Sequence, residues 1–210
     1  MAVSVFGQLS IPPLNRDFRG MPDILFLGDS HTVALREGAH MLGLNVDGLS
    51  FAGSPWHEGA FDWGPSGLEP RVEFPQKMAE ALRARTGQTN PFDTDRLILT
   101  TMGYHLGRLA GAFAANGHRP ADLEAPEQPL ATSEAYVQAY IDHHRSKHFG
   151  VLEALHARGP LIVVAPPRIE YKPVAEAFRQ RITTRLRASG ITVFDPVEEL
   201  LSEQDCLPAK

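Results

Sequence analysis

The hydrophobic positions fall into two alternating patterns. Short, unbroken apolar runs occur at Asp23-Ile-Leu-Phe-Leu27, Arg96-Leu-Ile-Leu-Thr-Thr101 and Leu161-Ile-Val-Val-Ala165, with weaker ones at residues 45–51 and 191–194. Runs of this length, bounded by Gly, Pro or Asp, predict strands buried on both faces. Between them the apolar residues spread out to helical spacing. Residues 31–42 read as a helix opened by Asp29 or Ser30 and closed by Gly43. Residues 75–85 read as a helix with Pro75 at its start, and 133–158 as a long one capped by Ser133 and stopped by Gly159-Pro160. Residues 174–188 form another, ending at Gly190, and Asp195-Pro196 opens a short last one. Two stretches, 52–75 and 102–131, carry no sustained period and read as long loops, the second with room for a short helix.

The resulting β-α alternation predicts a parallel sheet covered by helices on both faces. Right-handed crossovers then give an α/β fold, a three-layer α/β/α flavodoxin-like sandwich with a five-stranded parallel sheet. Residues 1–21 read as an extended N-terminal arm, and residues 22–210 as one domain.

Composition narrows the class. The 210 residues are 43% hydrophobic and 21% charged, which excludes a disordered chain. A net charge of −5 gives no reason to expect a nucleic-acid partner. The single Cys206 cannot form an intramolecular disulfide, and no CxxC pair offers a zinc site. No apolar run reaches the roughly 18 residues of a membrane span, and the N-terminus lacks the basic and apolar regions of a signal peptide. The expectation is a cytoplasmic protein with no membrane span. No cofactor is expected, since neither a Walker loop nor a GxGxxG fingerprint is present.

In such a sheet, ligands bind beyond the carboxyl ends of the strands. Those ends carry Gly28-Asp29-Ser30-His31, Ala52-Gly53-Ser54, Met102-Gly103-Tyr104-His105, Pro166-Pro167-Arg168 and Asp195-Pro196. Ser30 has the best physical case for a nucleophile. It follows a strand and opens a helix whose free N–H groups can stabilise an oxyanion. A plain N-cap serine explains the same position.

Ile24-Leu-Phe-Leu-Gly-Asp-Ser-His-Thr32 resembles the first block of the SGNH (GDSL-like) hydrolase superfamily, in its GDSH variant. Val163-Val-Ala-Pro-Pro-Arg168 resembles that family's fourth strand and its exit. The resemblance implies a serine ester hydrolase or acyl-transfer enzyme acting on a small O-acyl ester or acylated carbohydrate. It makes Ser30 the nucleophile within the Asp29-Ser30 block, and Gly53 an oxyanion-hole amide. The family's Gly-x-Asn block is matched by Gly103-Tyr104-His105, with histidine in place of the asparagine. His105 can donate from its ring to an oxyanion, act as a base, or be a polar loop residue.

The family's closing Asp-x-x-His block, which supplies the base, has no counterpart. No histidine follows His156, and Asp205 lacks a histidine partner. Three readings are open, the first preferred: the chain ends short of that block, a rim histidine (His105, His57 or His31) serves instead, or the domain binds a ligand or partner without catalysis. Helical geometry turns His31 away from Ser30, which counts against it as the base.

Other features have bland explanations beside functional ones. Trp56, His57, Phe61, Asp62 and Trp63 can bind an acyl chain or sugar face, or pin their own loop. Arg168 can hold an anion or pair with Glu170 or Glu176. His144 and His148 share a helix face, as metal ligands do. They also fall on the stripe of Val137, Ile141, Val151 and Leu155, and the helix direction puts them well below the rim.

Overall fold

A computed structural model describes residues 21–124 and 126–200. The N-terminal arm and the tail with Asp205 and Cys206 lie outside the described residues. Five strands form one all-parallel sheet: β1 (Ile24–Gly28), β2 (Val46–Ser50), β5 (Leu97–Thr100), β8 (Leu161–Val164) and β9 (Thr192–Phe194), in the order β2-β1-β5-β8-β9. This is the flavodoxin-like α/β arrangement.

Register explains why the runs are apolar throughout. Leu25 lies beside Ile98, which lies beside Leu161; Leu27 lies beside Leu49 and Thr100. These side chains share one face, packed against α3 (Glu73–Thr86), α5 (Glu134–His156) and α6 (Pro173–Ala188) through Leu82, Leu152 and Phe178. The intervening residues Ile24, Phe26 and Leu99 point the other way, with Val46, onto Leu35 and Ala39 of α1 (Ser30–Met41). A strand covered on both faces has no polar side to alternate with.

Both expected loops contain elements. After β2 the chain forms α2 (Gly53–Glu58) and an antiparallel hairpin of β3 (Phe61–Gly64) and β4 (Gly67–Pro70). Trp56 is fully buried, stacked on Phe51 at 4.3 Å and tilted against Phe61 at 5.3 Å. These aromatics are therefore core that fastens the insertion, not a platform for a ligand. After β5 come α4 (Leu106–Ala115) and a parallel pair, β6 (His118–Pro120) with β7 (Leu130–Thr132). The short last helix is α7 (Pro196–Leu200).

Helix α5 corrects one expectation about level. Its 23 residues extend about 35 Å at 1.5 Å each, well beyond the four residues of β8. Its middle therefore stands at the rim: the His148 ring lies 6.1 Å from that of His105. The buried stripe runs through His148, as the spacing predicts, and through Arg145 rather than His144.

Candidate active site

Strand order reverses at β1. The chain leaves β1 for β2 on one side and then crosses to β5 on the other. Crevices form at such a switch point beyond the strands' carboxyl ends. Here the ends of all five strands surround a cleft of about 930 Å³, lined by Asp29, His31, Gly53, His57 and His105 on one half and by Arg168, Glu176 and Arg179 on the other.

Asp29 anchors the first half. It caps α1, its carboxylate accepting the His31 backbone N–H at 3.0 Å. The same oxygen accepts the Thr101 hydroxyl at 3.0 Å and faces His31 Nδ1 at 3.2 Å. With Thr101 committed as donor to Asp29, the Thr32 hydroxyl donates to Thr101 Oγ1 at 2.8 Å. Gly28 makes this knot possible. A Cβ there would sit 2.3 Å from both threonine hydroxyls, so the close approach requires glycine. Burial opposes charge on Asp29, but the hydrogen bond and charge of His31, with His105, hold its carboxyl below the usual range. The Asp29 hydrogen bond in turn raises His31 above the ordinary imidazole value, against partial burial.

His105 is the strained member. It is the one non-glycine among the described residues with positive φ, at φ 44° and ψ 47°, where it caps α4. Such a conformation costs on the order of 1–3 kcal/mol and persists only when its surroundings impose it. Its side chain is 7% exposed, and Nε2 lies 3.4 Å from Asp29 Oδ2. Despite that proximity, neither ring nitrogen makes a hydrogen bond. Burial pushes its pKa down to about 4, with the nearby Arg145 charge adding and Asp29 opposing. At neutral pH the ring is therefore uncharged, with one N–H and one lone pair. Gly53, the first residue of α2, faces it: a Cβ there would lie 3.6 Å from His105 Cδ2.

Arg145 imposes the conformation. It is fully buried on α5. It donates to the Tyr104 carbonyl at 3.1 and 3.2 Å, to His144 O at 2.9 Å, and to His105 O and His57 O at 3.5 Å. Its Nη2 also lies 3.2 Å from His57 Nδ1. Arg145 has only donors, so His57 must accept there and carry its proton on Nε2. Tyr104 is held from the other end, its hydroxyl 2.8 Å from Thr183 Oγ1, and burial pushes that phenol up to about 12.

Ser30 is the first residue of α1 and is exposed. It is not among the residues that line the cleft, whereas its neighbours Asp29 and His31 are. Gly103, at φ +109°, lies in the β5–α4 turn against Leu152 and likewise outside the lining. His148 donates from Nε2 to the Trp56 carbonyl and is pushed by burial down to about 3. Among the described residues no group of three or more His, Cys, Asp or Glu side chains is placed to hold a metal.

The second half of the cleft is an ion-pair network. Arg168 pairs with Glu176 at 2.9 Å, Arg179 pairs with Glu176 and with the fully buried Asp195, and Asp195 caps α7 through Val197 N at 2.9 Å. Arg168 meets Glu176, one of the two partners expected for it, and the guanidinium also covers the Tyr171 ring at 5.4 Å.

Sequence reasoning missed Thr101 and Arg145. Thr101 gave no signal beyond ending a strand. Arg145 did: residues 137, 141, 145, 148, 152 and 155 keep helical spacing, and 145 is the one charge on that stripe. Compared with protein-family models, with curated proteins and with solved structures, the chain matches none.

Proposed function

We propose that the cleft is the active site of a serine-dependent ester hydrolase or acyl-transfer enzyme of SGNH-like type, acting on a small O-acyl ester such as an acylated carbohydrate. The observation that carries this reading is His105: buried, strained, neutral and without a hydrogen-bond partner for either ring nitrogen. A buried donor left unpaired costs about 1–3 kcal/mol, so its natural partner is a group that arrives with the substrate. In this reading Ser30 attacks the ester carbonyl, and the developing oxyanion takes hydrogen bonds from His105 and from the first-turn amides of Ser30 and Gly53. Those amides open α1 and α2, where no intrahelical acceptor is available. The acyl group passes to Ser30 and then to water or an acceptor hydroxyl.

The test is hydrolysis of p-nitrophenyl acetate by the native protein and by Ser30→Ala. Loss of turnover in the variant supports the reading; equal rates remove the serine mechanism. One observation favours a second reading, a ligand-binding domain without catalysis: Ser30 is absent from the cleft lining. That domain would bind ligand in the cleft and show no hydrolysis in either form.

A further inference from the structure

The serine reading needs a base, and three histidines, His31, His57 and His105, line the cleft. We infer that His31 is the catalytic base of this site and that Asp29 is its positioning residue. The inference rests on the serine reading and supplies the group that reading needs.

The geometry is that of an oriented imidazole. The Asp29 carboxylate, kept charged by its own partners, faces His31 Nδ1 at 3.2 Å. That contact places the ring proton on Nδ1 and leaves the lone pair on Nε2. Asp29 is itself immobilised by the Thr101 hydroxyl at 3.0 Å and the His31 amide at 3.0 Å, so the carboxylate is a fixed reference for the ring. His31 lines the cleft with a side chain 48% exposed, open enough to exchange protons with an incoming reactant. The competing candidates are worse placed. His105 is buried and held neutral down to about pH 4. The Nδ1 of His57 is occupied by Arg145, and burial with that guanidinium pushes the ring below its ordinary value.

The step balances as an acyl transfer. Nε2 of His31 takes the Ser30 hydroxyl proton as Oγ bonds to the carbonyl carbon. The imidazolium then returns that proton to the departing alkoxide as the acyl C–O bond breaks, and the same cycle with water frees the acid.

Several charged or titratable groups bear on His31. Asp29 lies at its own cap and His105 is on α4; across the cleft stand Arg168, Glu170 and Lys172, with Glu176 beyond them. Asp29 is the one in contact, and it favours the imidazolium. A base must be neutral to act, so activity falls as pH drops, and the midpoint of that fall lies above the ordinary value near 6.5.

The experiment is the pH profile of kcat/KM for p-nitrophenyl acetate, with the rate of Ser30 modification by a fluorophosphonate followed by mass spectrometry. The expected result for His31→Gln is a loss of about 10²-fold or more in both rates and disappearance of the acid limb. Asp29→Asn should keep a limb but move it to lower pH, a shift that a merely structural role would not produce. Normal Ser30 modification and an unchanged acid limb in His31→Gln would overturn the inference while leaving the serine reading intact. Absence of both hydrolysis and Ser30 modification in the native protein overturns the serine reading and the inference together.

Discussion

The two halves of the cleft are built from the same kinds of residue and treat them in opposite ways. On the β8–β9 half, Arg168, Glu176, Arg179 and Asp195 pair with one another, and Asp195 also caps α7. On the β1–β5 half, His105 makes no hydrogen bond from either ring nitrogen in a left-handed backbone, and His31 presents an open nitrogen beside a fixed carboxylate. Charge alone therefore does not mark the site. What separates the halves is whether a buried polar group finds its partner within the fold. A paired network holds the walls in place; an open one leaves hydrogen-bonding capacity for a substrate.

Substitutions on either side should break different properties. Asp29→Ala should lower kcat/KM by about 10²–10⁴-fold, at a stability cost near that of a lost helix cap, about 1 kcal/mol. Steady-state kinetics and urea denaturation on the same sample read both. Asp195→Ala should do the reverse. It removes one partner of a buried pair and should cost about 3–5 kcal/mol in urea denaturation, with kcat per folded molecule unchanged.

The role of His105 can be sharpened by two replacements. His105→Ala removes the donor and should slow acyl transfer by roughly 10²–10³-fold. His105→Asn restores an N–H and tolerates the left-handed backbone better than most residues, so its rate should stay within about tenfold of native. If alanine and asparagine behave alike, His105 is not a donor.

A further effect is on acid stability. His105 and His148 have pKa values lowered to about 4 and about 3. Below the unfolded value near 6.5, the unfolded chain binds protons that the folded chain refuses. Their contribution is therefore complete above pH 6.5 and declines as pH falls toward 4. His31 runs the other way: its raised value stabilises the fold at low pH and is lost as pH rises through it. Denaturation midpoints should fall between pH 7 and pH 5, and less steeply in His148→Phe.

Much of this was legible in the sequence because the sheet is buried on both faces. Ile24–Leu27, Leu97–Leu99 and Leu161–Val164 needed no alternation to be recognised. Helix α4 was legible only as room for a short helix within residues 102–131, without bounds, since Leu106–Ala115 is largely small and apolar with two glycines. The rim residues were found because strand ends locate a cleft. Their states were not, because those depend on partners far along the chain: Thr101 for Asp29, and Arg145 for His57 and His105. Whether a histidine is a base, a donor or core is decided by such contacts, as His31, His105 and His148 illustrate.

The most direct test of the account is covalent labelling of the native protein with a fluorophosphonate, followed by peptide mapping. A single adduct on Ser30, slowed in Asp29→Ala and retained by folded Asp195→Ala, is the predicted result. No adduct, or an adduct on another residue with hydrolysis unaffected by Ser30→Ala, would contradict it.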